Sequence, residues 1–142
     1  MKYAVIALAL ILFNCSTKET KEIEEEQNLL GKWRLIEQLV DPGDGSGTFN
    51  SVESERIVEF FSDGTVIANG SLCYMSREVG DNSFGVYEVT SDDRADTNFD
   101  GIITPENCEF GEFDVYFDLP LSGHLILWYP CIEGCGQKFV KI

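Results

Sequence analysis

The sequence predicts an all-β domain: a small up-and-down antiparallel β-barrel of about eight strands. Three observations carry that prediction. Through most of the chain apolar residues recur at every second position, the period of a half-buried strand. Short turn signals built from Gly, Asp and Ser separate these runs, and no stretch makes a convincing core helix. Ten phenylalanines and a hydrophobic content of 44% supply ample apolar surface for a core. A meander of this kind disposes of its exposed edges best by closing on itself.

Residues 1–14 read as a signal peptide. Lys2 supplies the positive charge, Tyr3 to Phe13 form an uncharged apolar run, and the chain turns polar directly after Asn14-Cys15. That layout marks secretion. The run is too short for a permanent membrane span, which needs about 20 apolar residues. Residues 15–28 read as an acidic, disordered tether, since Ile23 is the one apolar side chain from Ser16 to Asn28. Nothing there offsets the entropy lost on ordering. The folded domain is expected over residues 29–142.

Within it the first long strand is expected at residues 30–40, carrying Trp33 and Leu35. Strands at 56–61 and 65–69 flank Ser62-Asp63-Gly64, a hairpin signal. Residues 84–90 alternate weakly around Val86 and Tyr87, and 102–104 form a short strand. The clearest alternation lies at 112–119, where Phe113, Val115, Phe117 and Leu119 share one face and Glu112, Asp114 and Asp118 the other. A helix would scatter those carboxylates around its circumference. Residues 124–131 and 136–142 close the meander as a hairpin.

Two resemblances follow from particular residues. Leu12-Phe13-Asn14-Cys15 resembles the lipobox of bacterial lipoproteins, which implies that Cys15 becomes the first mature residue and carries acyl chains. Ordinary secretion, with Cys15 idle, is the alternative. The acidic run after the cysteine resembles the export signals of surface-displayed lipoproteins. Gly31-Lys32-Trp33 resembles the Gly-x-Trp signature of lipocalins. Together with Glu59-Phe60-Phe61-Ser62-Asp63-Gly64-Thr65 and the tail Cys135-Gly136-Gln137-Lys138-Phe139-Val140-Lys141-Ile142, it resembles lipocalin-like lipoproteins of the Bacteroidetes. That resemblance implies a barrel closed at one end by Trp33, with Lys138 or Lys141 over the indole as a cation–π partner.

The chain holds 25 acidic and 10 basic residues, a net charge of −15. Loss of residues 1–14 removes Lys2 and no acid, leaving −16. Such a charge repels nucleic acid and anionic headgroups and favours cations or a basic partner. Besides Cys15 there are four cysteines, which in an oxidising compartment read as two disulfides with three possible pairings. Cys131 and Cys135 flank a tight turn, so Cys131–Cys135 with Cys73–Cys108 is the preferred set. Zinc is the competing assignment, but it calls for two-residue spacing and usually histidine, and His124 stands alone.

One segment carries metal chemistry. Asp96-Thr97-Asn98-Phe99-Asp100-Gly101-Ile102-Ile103 fits the pattern Asp-x-Asx-x-Asx-Gly-x-Ile and resembles the calcium loops of EF-hands and dockerins. Asp96, Asn98 and Asp100 would offer side-chain oxygens and Ile102 its carbonyl. The twelfth position is Asn107, so Glu106 or Glu109 would have to supply the missing carboxylate. A structural calcium ion is therefore expected, with a solvated acidic loop as the alternative.

No nucleophile–base pair stands out. Ser122 and His124 are turn residues, and Asp41-Pro42-Gly43-Asp44-Gly45-Ser46-Gly47 lacks the lysine and helix of a phosphate loop. It reads as a long mobile loop at a barrel mouth, a lid or a partner-binding loop. The expectation is a non-enzymatic, monomeric lipoprotein of the cell outer membrane, binding a small apolar ligand inside or a protein partner outside. A filled barrel with a structural or interaction role is the rival, and a calcium-dependent hydrolase the third class.

Overall fold

The computed structural model describes residues 28–90, 99–109, 111–120 and 122–142; Cys15, and with it the signal and most of the tether, lies outside them. Nine strands follow in chain order: β1 (Gly31–Val40), β2 (Asn50–Ser51), β3 (Ile57–Phe60), β4 (Thr65–Ala68), β5 (Ser83–Val89), β6 (Gly101–Pro105), β7 (Val115–Asp118), β8 (His124–Trp128) and β9 (Cys135–Lys141). From β3 onward each strand pairs antiparallel with the next, and β1 pairs with both β3 and β9. Eight strands thus close an up-and-down barrel. β2, which the alternation does not reveal, is a two-residue addition opposite Glu37 and Gln38 of β1.

β1 serves two partners because it is long. Gly31 to Arg34 pair with β3, while Trp33 to Val40 pair with β9, with a register shift between Leu35 and Glu37. A bulge of this kind bends a strand and lets it follow the barrel wall. β7 starts later than its alternation suggests: Val115 and Phe117 are buried, whereas Phe113 lies before the strand and is half-buried.

Period-two alternation sends one set of side chains inward. At the end holding the start of β1, Phe60 packs edge-on against Tyr87 and Phe117, with ring centroids 5.2 and 6.0 Å apart. Leu35, Val58, Val66, Ile103, Val115, Leu125, Leu127 and Phe139 fill the middle, each 0–1% exposed. At that exposure no void large enough for water touches them. Each such burial stabilises by about 1.5–3 kcal/mol. The four cysteines pair as preferred, Cys73 with Cys108 and Cys131 with Cys135, all at the opposite end.

Candidate functional site

Trp33 closes the first end. Its ring is buried, its Nε1 donates to the Leu29 carbonyl at 2.7 Å, and the Lys141 ammonium stands 5.3 Å from the ring centroid. Of the two lysines the sequence offers, Lys141 therefore covers the indole. Lys138 instead pairs with Glu37 and lies 4.6 Å from the centre of Phe49, which packs outside the barrel on Trp128.

The second end is stoppered by the connection 69–82. Leu72 sinks into the core with no exposure. Ser83 Oγ accepts from the Leu72 N–H at 3.0 Å and donates to the Gly70 carbonyl at 2.6 Å. Beneath the stopper lies Arg56, fully buried. Its Nη2 donates to the Ser71 carbonyl and, at 3.3 Å, to the Tyr129 hydroxyl, while Nε and Nη1 have no partner. Among the described residues no carboxylate pairs with it. Burial pushes the Tyr129 phenol above its ordinary range, against the pull of the nearby guanidinium, so it stays neutral. Gln137 donates to Ser76 O at 2.9 Å and Gln38 Oε1 at 3.2 Å, leaving its own carbonyl oxygen unpaired. The phase of the alternation places Arg56 with Val58 and Phe60, and Gln137 with Phe139, on the inward set.

The Gly-rich loop is organised, where mobility was expected. The Asp41 carboxylate accepts from the backbone N–H groups of Gly43, Asp44, Gly45 and Gly47 at 2.7–3.2 Å. Those bonds, that from Gly47 foremost, hold its pKa below the usual carboxylate value. A side chain that gathers its own loop's donors leaves fewer of them for an anion or a partner.

Of the expected calcium ligands, Asp96 and Asn98 lie outside the described residues. Asp100 sits at the entry to β6, where its Oδ2 accepts from the Leu119 N–H at 2.6 Å. Ile102 is mid-strand, between Glu88 of β5 and Tyr116 of β7. Glu106 follows β6 and is exposed. Asp100 and Glu106 thus stand at opposite ends of an extended strand, roughly 20 Å apart at about 3.3 Å per residue, and cannot share an ion. Gly101 does not adopt the left-handed turn of a calcium loop; it is buried at the start of β6, against the Phe117 ring. Near Asp100, Asp118 is half-buried and accepts from the Trp128 indole at 2.8 Å. Burial, helped by the Asp100 charge, raises its pKa. Ser122 and His124 do meet at 3.1 Å, on an exposed turn.

The outer surface carries what the sequence did not single out. Tyr74 is 59% exposed, and Phe84 and Val86 are each 48% exposed. Beside the Cys73–Cys108 disulfide a cleft of about 370 Å³ opens between Tyr74, Phe84, Glu106 and Glu109. Comparison of the chain with family models, curated proteins and solved structures gives no match.

Proposed function

We propose that this protein is a lipid-anchored barrel of the cell envelope that works through its outer surface, as a non-enzymatic interaction module. One observation carries the choice between inside and outside: the inward side chains of the barrel's middle are fully covered by one another. A ligand-holding barrel needs a cavity of several hundred cubic ångströms. The lipocalin-like signature Gly31-Lys32-Trp33 supports a small envelope barrel, and Cys15 in its lipobox-like setting supports acylation and an outer-membrane position. A calcium ion near the entry to β6 would draw on Asp100 and on the segment before it, as a structural pin and not a catalyst.

Titration of the folded protein with an anilinonaphthalene dye and with a long-chain fatty acid tests this reading. No saturable binding is expected, and the methyl resonances of Ile103, Leu125 and Leu127 should stay in place. Saturable uptake with shifts at those methyls would replace it with a ligand carrier. Mass spectrometry of membrane-extracted protein should find acyl chains on Cys15 at the new N-terminus.

A further inference from the structure

Acidic residues surround the described barrel, but its basic residues keep to one side. From Asp81 to Leu119 the described residues include Asp81, Glu88, Asp100, Glu106, Glu109, Glu112, Asp114 and Asp118, and no lysine or arginine. Among the described residues the surface bases stand elsewhere: Lys32 and Arg34 on β1, the half-buried Lys138 and exposed Lys141 on β9, and Arg77 in the stopper. Lys32 is matched by Glu59 and Lys138 by Glu37. The β5–β7 side therefore faces solvent with carboxylates that nothing basic on the described surface balances.

Val40, Ile132 and Ile142 are exposed singly around β1 and β9, but Tyr74, Phe84 and Val86 place exposed apolar surface on that same β5–β7 side. Ile67 of β4 lies opposite Phe84 of β5, and Val86 lies next to them between Thr65 and Thr104. The pairing places these side chains outward, because their neighbours Val66, Gly85 and Tyr87 face the core. Phe84 and Tyr74 then flank the cleft, with Glu106 and Glu109 on its wall. Contiguous apolar surface rimmed by polar groups marks a contact site, whereas single exposed apolar residues do not.

The cleft is also rigid. Cys73–Cys108 ties the stopper to the connection after β6, and the Glu106 N–H donates to the Phe84 carbonyl at 2.8 Å. Asn107, at φ 57°, makes the left-handed turn that sets Glu106 beside Cys108; asparagine tolerates that conformation better than most residues. A wall fixed before binding lowers the entropy lost on association.

We infer that this face docks a cationic protein segment bearing an aromatic or long aliphatic side chain, which enters the cleft between Tyr74 and Phe84 while its lysines or arginines meet Glu106 and Glu109. The inference rests on the surface-acting function above and names the partner's chemistry. Charge complementarity selects the sign, and unbalanced carboxylates around aromatic rings also favour cation–π contact. β5 is paired on both sides, so recognition falls to side chains and not to an added strand.

The test uses the full chain in neutral detergent with its disulfides intact, and a short synthetic peptide of alternating lysine and tryptophan as the probe. Amide resonances of Tyr74, Phe84 and Glu106 should shift saturably, and binding should weaken with salt. The glutamate–tryptophan analogue should not bind. Phe84→Ser, and separately Glu106→Gln with Glu109→Gln, should each weaken the probe about fivefold or more, the effect of a contact worth about 1 kcal/mol. Both alter exposed side chains, and unchanged circular dichroism would show that the fold persists. Spermine binding as tightly as the peptide would reduce the site to bulk electrostatics and overturn the inference. Absence of binding, or shifts confined to another face, would overturn it too, while leaving the interior methyls to judge the function it rests on.

Discussion

Gly101→Ala separates packing from metal binding at the start of β6. A Cβ at this position would lie well inside 3.0 Å of both the Phe117 ring and the Glu88 carbonyl oxygen. Neither neighbour yields easily. Phe117 has no exposure and contacts Phe60, and Glu88 belongs to the β5–β6 ladder. Overpacking a tight core costs about 1–3 kcal/mol, and two immobile neighbours put this substitution near the upper end, about 3 kcal/mol. A domain of roughly 115 residues loses about 4 °C per kcal/mol, so the melting point should fall by about 12 °C. Urea and thermal unfolding would be followed in calcium chloride and in EDTA, where the loss should be equal. Phe117→Leu in the same chain should restore part of it, because the ring is one of the two obstructions. A loss under about 1 kcal/mol, or one that vanishes in EDTA, would refute the packing argument and return Gly101 to a calcium-loop role.

Two further outcomes follow from the geometry. Replacing Cys73 and Cys108 together by serine opens a loop of sequence separation 35 and should cost about 4 kcal/mol in urea, whereas the separation of 4 at Cys131–Cys135 should cost only about 2 kcal/mol; the reverse order would show that the stopper is not held by its disulfide. Asp118 has a folded pKa raised above its ordinary value of 3.8, chiefly by burial, so the native state holds that proton more tightly. Its contribution to stability is therefore present below about pH 4 and lost as pH rises through the folded pKa. Asp118→Asn keeps an acceptor for the Trp128 indole and removes the charge, so it should stabilise at pH 7 and give no gain near pH 3; urea midpoints at the two pH values check the sign.

Much of the barrel is written in alternation. The phase that puts Val58 and Phe60 inside, or Leu125 and Leu127, follows from a period of two whichever turn joins the strands. β2 escapes because two residues cannot show a period, and its pairing with Glu37 and Gln38 depends on where the preceding loop returns. The start of β7 at Val115 is set by its ladder to β6, which no local pattern encodes. The calcium motif illustrates a different limit. Asp-Gly at 100–101 fits a metal loop on spacing alone, yet the glycine is also what the Phe117 ring requires. The outer cleft was invisible for a third reason. Tyr74, Phe84, Glu106 and Glu109 are scattered along the chain and meet only because the disulfide and the β5–β6 pairing bring them together.

Arg56 connects the sealed interior to that outer cleft. A buried guanidinium with no carboxylate among the described residues is expensive, and two donors without partners there add to the cost. What it holds is the Ser71 carbonyl, from inside the barrel. Leu72, the next residue, is locked into the core, and Cys73 is tied sideways to Cys108. Tyr74 follows directly and projects into solvent at the cleft. Three consecutive residues are thus fixed by three independent means before the exposed aromatic emerges. Packing alone would have been met by a hydrophobic residue at position 56, at no electrostatic cost; a buried donor aimed at one carbonyl accounts for something more specific, the placement of the segment that presents Tyr74.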